Sequence, residues 1–156
     1  SGQLPVHPKP LDLGKLLRQT LADMAAQIDA APVTVRAEIP EAPVAIRADG
    51  ERLYRVFQNL IQNALQYSLA GSRVHVSLSV RDGVAYASVK NTSATELPDG
   101  VDFTERFVRG DASRTDGGSG LGLSIARSLT QLQHGTFSLT IDGDLFKAAL
   151  TFPRIP

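Results

Sequence analysis

Gly118, Gly120 and Gly122 alternate with Ser119 and Leu121 just ahead of a helical pattern running from Leu123 to Leu132. A helix start presents backbone N–H groups with no partner inside the helix, and a dipole that favours negative charge. Glycine lets that backbone approach a polyphosphate with no Cβ in the way. The matching ligand is a nucleoside triphosphate. Asn59 and Asn63 form a second group, four residues apart in a segment patterned as helix. They therefore lie on one side of it, one turn apart. A neutral carboxamide oxygen is a hard ligand that suits Mg²⁺, an ion that keeps most of its waters and takes further oxygens from phosphates. Each feature also has a plain structural reading: a loop-to-helix connector for the glycines, solvated helix surface for the asparagines.

Several elements must hold these groups. Residues 1–10 contain Pro5, Pro8 and Pro10 and read as an extended lead-in or linker. Leu13, Leu16, Leu17, Leu21, Met24 and Ile28 recur at helical spacing, with Asp12 as a cap and Pro32 as a stop. Strands are expected over 33–39 and 44–47. The asparagine helix runs from about Glu51 to Leu69, with a core stripe of Leu53, Val56, Phe57, Leu60, Ile61, Ala64 and Leu65. Residues 73–80 alternate strictly, Asp82-Gly83 is a hairpin turn, and 84–89 is the return strand. From Asn91 to Gly117 there is little periodicity, as in a functional loop or lid. Residues 136–141 and 145–152 form a last hairpin around Asp142-Gly143. Hairpins with separate helices predict an α+β fold, a two-layer sandwich with helices on one sheet face.

Composition narrows the function. The 156 residues suit one domain, with 42% hydrophobic and 21% charged residues. Net charge is zero with no basic block, which argues against nucleic acid as a partner. The absence of cysteine excludes disulfides, a thiolate nucleophile and a sulfur-bound zinc, and fits a cytoplasmic compartment. No apolar run has the length of a membrane span.

Asn59-Leu60-Ile61-Gln62-Asn63-Ala64-Leu65-Gln66-Tyr67-Ser68 resembles the N box of sensor histidine kinases. Phe103-Thr104-Glu105-Arg106-Phe107-Val108-Arg109-Gly110 resembles their F box, and Gly118 to Leu123 their second glycine box. The three occur in the family's order and at compatible spacing, and the likeness extends from about Leu11, including Asp49-Gly50-Glu51-Arg52-Leu53.

The resemblance implies a Bergerat-type ATP-binding domain, shared with gyrase-type and heat-shock chaperone ATPases: a mixed, mostly antiparallel sheet covered on one face by helices, with a long ATP lid. It implies ATP and Mg²⁺ as cofactors, with Asn63 as the metal ligand. Asn59 stands where ATP-hydrolysing relatives carry a glutamate base. An amide cannot take that proton at neutral pH, which favours a kinase over an ATPase. Gly118, Ser119, Gly120, Leu121 and Gly122 would line the phosphates, and Tyr67 would pack beside the nucleotide or in the core. Arg109 would reach phosphate oxygens or the partner domain, unless it is a surface arginine of the lid. Phe103 and Phe107 would anchor that lid on apolar surface.

Two departures stand out. The family's first glycine box reads Asp-x-Gly-x-Gly, whereas this chain has Asn91-Thr92-Ser93-Ala94-Thr95. Asn91 can still accept from the adenine amino group, without charge. Gln66 stands where many members carry a lysine that reaches the phosphates; Arg109 or Arg114 would have to compensate.

His7, His75 and His134 lack the helical His-acid context of a phospho-acceptor. The expected organisation is therefore a lead-in over residues 1–10, from a dimerisation domain that carries the acceptor histidine, and a catalytic domain over 11–156. The expected chemistry is transfer of the γ-phosphate of MgATP to that histidine, with a response regulator downstream. The parent would be a membrane-anchored bacterial sensor with this part cytoplasmic, and the fragment monomeric. The rival readings are an anti-sigma-factor-type serine kinase and a nucleotide-binding regulatory module without transfer activity.

Overall fold

The computed structural model describes residues 5–97 and 119–156, with the side chains of 119–122 left aside. The F box, Arg109, Arg114 and Gly118 lie outside the described residues.

The chain opens with strand β1, Lys9–Asp12, which pairs antiparallel with β3, Ala45–Ala48. The expected lead-in boundary at residue 10 thus falls inside an element. Proline hid this strand from a reading by composition, although Pro10 is tolerated in a strand with one neighbour. Asp12 caps helix α1, Leu13–Asp23, accepting from the N–H groups of Gly14 (3.0 Å) and Val44 (3.1 Å). The single helix expected here is two. Met24 leaves helical geometry at φ −97° and ψ 10°, and α2, Ala25–Ala30, follows.

A second sheet follows. It comprises β2 (Thr34–Glu38), β4 (Arg73–Arg81), β5 (Val84–Thr92), β6 (Thr136–Asp142) and β7 (Leu145–Pro153), in the order β2-β4-β5-β7-β6. Only the β2–β4 pair is parallel; the other pairs are antiparallel. The turn between β4 and β5 has positive φ at both Asp82 (53°) and Gly83 (75°), the two-residue hairpin geometry that suits strand twist. One sheet face is apolar: Val74, Val76 and Leu78 stand beside Ala85, Ala87 and Val89, and these beside Ala148, Leu150 and Phe152. The opposite face is polar, as expected of an antiparallel sheet covered on one side only.

Helix α3, Gly50–Tyr67, covers the apolar face with Leu53, Val56, Phe57, Leu60, Ile61 and Ala64. Helix α4, Ser119–Leu132, packs beside it through Leu123, Ala126 and Leu129. It starts earlier than its apolar periodicity, because the glycine run forms its first turn. The α+β, two-layer class expected from the sequence is the observed one.

Asp49 fixes the start of α3. Its carboxylate accepts from the backbone N–H of His7 (2.8 Å) and Arg52 (3.1 Å), while its own N–H donates to Oε1 of Gln133. Gln133 in turn donates to the carbonyl of Leu129 on α4 (2.9 Å). Burial alone would raise the Asp49 pKa. Backbone N–H groups of His7, Arg52 and Glu51, with the charge of Arg52, reverse this and hold it below its ordinary value. A carboxylate depressed in the folded state stabilises fully above its unfolded pKa, and that contribution is lost as pH falls through the folded value. Asp49→Asn, which loses the charge and sets an amide against an N–H donor, should cost roughly 1–3 kcal/mol at pH 7. The gap to the parent should close below about pH 4 in a series of thermal melts. Parallel stability curves across that range would refute the assignment.

Candidate functional site

The carboxyl end of α3 and the end of β5 are sewn together. The Leu69 N–H donates to the Thr92 carbonyl (2.9 Å), and the Ala94 N–H to the Tyr67 carbonyl (2.9 Å). Ser68 and Ser93 form an isolated antiparallel bridge, and the Ser68 hydroxyl donates back to the Ala64 carbonyl. Two polar segments far apart in sequence therefore meet at one end of the sandwich.

A cleft opens there. Its walls are Leu60, Asn63, Ala64 and Tyr67 of α3; Val89, Asn91 and Ser93 on and after β5; Leu97; Leu123 of α4; and Phe146 and Ala148 of β7. Its fully enclosed space is small, about 40 Å³, and the rest of the cleft is open to solvent. Asn63, Asn91 and Ser93 are 8%, 5% and 6% exposed, so these polar groups sit in a largely apolar wall. Asn91 occupies the buried face of β5 after Ala85, Ala87 and Val89, opposite Val74 on one side and Phe146 on the other. Ser93 is held by its N–H to the Asp144 carbonyl (2.6 Å), and its Oγ accepts from Thr95 (3.2 Å).

This arrangement suits a flat heteroaromatic ring. Apolar side chains and the Tyr67 and Phe146 rings offer contact to its faces. A carboxamide at the edge can donate and accept at once. Leu123 lies in the second turn of α4 and lines the cleft, so the first turn of that helix, whose N–H groups have no partner within the helix, lies beside the same opening. Asn63 offers a buried neutral oxygen at the cleft. No cluster of three or more His, Cys, Asp or Glu exists among the described residues. The donor set thus fits an ion held mainly by phosphate oxygens and water, as magnesium is.

Asn63, Tyr67 and Asn91 are brought together. Asn59, half-buried one turn earlier on α3, and Gln66, exposed, are not among the lining residues. Ser119, Gly120, Leu121 and Gly122 form the first turn of α4. Sequence reasoning missed Ser93, Leu97, Phe146 and Ala148. The alternation of β5, continued past Val89, places Asn91, already named from the sequence, as a polar group in the buried stripe. The same alternation puts Phe146 on the face of Ala148 and Leu150.

Residues 48–154 match the family described as "Histidine kinase-, DNA gyrase B-, and HSP90-like ATPase", and the chain belongs to it. ATP is accordingly the ligand this family membership implies. The sensor histidine kinase RppB of Synechocystis is 36% identical over 130 residues, covering 81% of this chain and 28% of that protein. The catalytic domain of the histidine kinase ThkA shares the fold, with a TM-score of 0.79 at 19% identity, covering 95% of this chain and 96% of that one. Full-length ShkA, solved in complex with AMPPNP, gives a TM-score of 0.79 at 25% identity, covering 99% of this chain and 32% of that one. The chain therefore spans under a third of RppB and of ShkA.

Ala148 is 2% exposed and faces the cleft from the sheet. Ala148→Leu should fill the cleft from its sheet wall. A fluorescent ATP analogue should then no longer bind, at a stability cost of no more than about 1–3 kcal/mol. Undiminished binding by a folded variant would place the nucleotide elsewhere.

Proposed function

We propose that this chain is the ATP-binding catalytic domain of a two-component sensor histidine kinase. It transfers the γ-phosphate of MgATP to a histidine on a separate dimerisation domain, from which a response regulator is then served. The observation that carries the reading is the convergence of Asn63, Tyr67 and Asn91 on one cleft beside the glycine-rich start of α4. Family membership and the likeness to RppB support it. The parent is a membrane-anchored sensor with this domain on the cytoplasmic side. None of the described helices is long and apolar enough to cross a membrane.

In this reading Asn91 and the apolar walls orient the adenine. The backbone of Ser119, Gly120, Leu121 and Gly122, with Gly118 ahead of them, takes the phosphates at a helix start. Asn63 would hold magnesium through its carboxamide oxygen, and magnesium so held would supply neutralisation of phosphate charge. Asn59 carries no carboxylate, so nothing on that turn of α3 takes a proton from water. Tyr67 borders the nucleotide in the cleft, and Arg109 would reach phosphate oxygens or the partner domain. The attacking nitrogen comes from the partner domain, and this domain contributes position and electrostatics.

Calorimetry with a non-hydrolysable ATP analogue tests the cleft. Asn63→Ala should weaken magnesium-dependent binding by about tenfold or more. A neutral hydrogen bond is worth about 0.5–1.5 kcal/mol, so Asn91 should favour ATP over GTP by up to roughly tenfold. Asn91→Asp should keep or raise ATP affinity. Equal affinity of the parent for both nucleotides would remove Asn91 from base recognition.

A transfer assay tests the reaction. The domain alone should turn ATP over very slowly and leave its own histidines unlabelled. Mixed with its dimerisation domain, it should give an acid-labile, base-stable phosphohistidine. Labelling of a serine on a partner would instead favour a serine kinase.

A further inference from the structure

The solvent face of the five-stranded sheet carries an unusual row. Strand register aligns Arg36 of β2 with His75 of β4, His75 with Lys90 of β5, and Lys90 with Lys147 of β7. Each alternates with a residue of the opposite, core-facing side: Val35, Val74 and Val76, Val89, and Ala148. Arg73, one same-face step from His75 along β4, widens the row, and a surface hollow lined by Arg36, Glu38, Arg73 and His75 marks its β2 end.

Like charges directly opposite on neighbouring strands are unfavourable for the sheet. Lys90 beside Lys147 is such a pair, and Arg36 and Arg73 add to it. The next same-face positions in register are Glu38, Ser77, Ser88, Ala149 and Ser138; beyond Glu38 at the β2 edge, all are too short to cover the row. The chain as a whole has zero net charge, so this face concentrates a charge that the composition hides. Among the described strand residues, the acids on this face are Glu38 at one edge and Asp142 at the far corner.

We propose that this face is a docking surface for an acidic α-helix of a partner protein, lying across the strands and read by Arg36, His75, Lys90 and Lys147. The spacing favours a helix. Adjacent strands lie about 4.7–4.9 Å apart, so the row spans about 14 Å. Carboxylates at i, i+4, i+7 and i+11 of a helix share one face over about 16 Å, one for each strand. Same-face side chains of an extended segment are about 6.6–6.8 Å apart and fall out of step after two strands. The surface also lacks what a lipid-binding face uses: its aromatic, Tyr86, is engaged by the Arg81 guanidinium 5.0 Å from the ring centroid, and no large exposed apolar residue stands on the row.

The test uses the whole 156-residue chain. One labelled helical peptide carries Glu at i, i+4, i+7 and i+11; a second has the same composition with Glu spread around the helix. Fluorescence anisotropy should show the patterned peptide binding at least about fivefold tighter than the spread one, with most of that affinity lost in high salt. The double reversal Lys90→Glu with Lys147→Glu should abolish binding while leaving ATP-analogue binding unchanged. Should that variant not fold, amide shifts of the parent chain on peptide addition provide the second readout. They should centre on residues 36, 75, 90 and 147. Equal binding of both peptides, retention by the folded double variant, or shifts centred elsewhere would overturn the proposal. So would anionic phospholipid vesicles or single-stranded DNA binding this face more tightly than the patterned peptide.

Discussion

The site depends on where α3 begins and ends, and both ends are tied by hydrogen bonds to distant parts of the chain. At the start, the buried Asp49 takes N–H groups from the lead-in and from its own helix, and through Gln133 it links to the end of α4. At the finish, Ser68, Leu69 and the Tyr67 carbonyl meet the end of β5. A helix held at both ends cannot slide or rotate on the sheet without breaking several of these bonds. Asn63 and Tyr67 therefore keep a fixed relation to Asn91, which a greasy interface alone would not guarantee. Apolar packing supplies most of the favourable free energy, but it is non-directional. The polar ends supply the register.

The composition of the cleft follows from that register. Its lower wall is the far end of the apolar sheet face, where the alternation that builds the core runs on and meets asparagine instead of valine. The core and the pocket are one surface, filled by helices at one end and left open at the other. A family of ATP-binding domains can thus keep its fold while the residue at position 91 varies. That side chain faces the opening, while its backbone stays in the strand ladder.

Much of this was legible from residue order. The Leu53 to Ala64 stripe gave α3, and Asp82-Gly83 gave a hairpin that appears with positive φ at both turn residues. Asp12 was readable as a cap because a carboxylate before an apolar period has one good use there. Other features were not legible, for physical reasons. The first strand, Lys-Pro-Leu-Asp, has no alternation and contains proline; it exists because β3 offers it an edge. The break at Met24 falls within an unbroken apolar period, so nothing local announces it. The parallel pairing of β2 with β4 is a tertiary choice, made across β3 and α3. Phe146 and Ala148 reach the cleft from a strand over fifty residues after Asn91, where only register can bring them.

The two outermost strands of the sheet have a consequence for the molecule's behaviour in a crowded cell. Among the described residues β2 and β6 each have a single neighbouring strand, so each presents an outer line of backbone donors and acceptors. Such lines invite other chains to add on. Here β2 is only five residues long and carries Arg36 and Glu38, and β6 turns Thr136, Ser138, Thr140 and Asp142 outward. Short length, charge and hydroxyls make both borders poor templates for cross-β growth. The fold can leave its sheet unclosed without offering a long, flat, apolar edge to other chains.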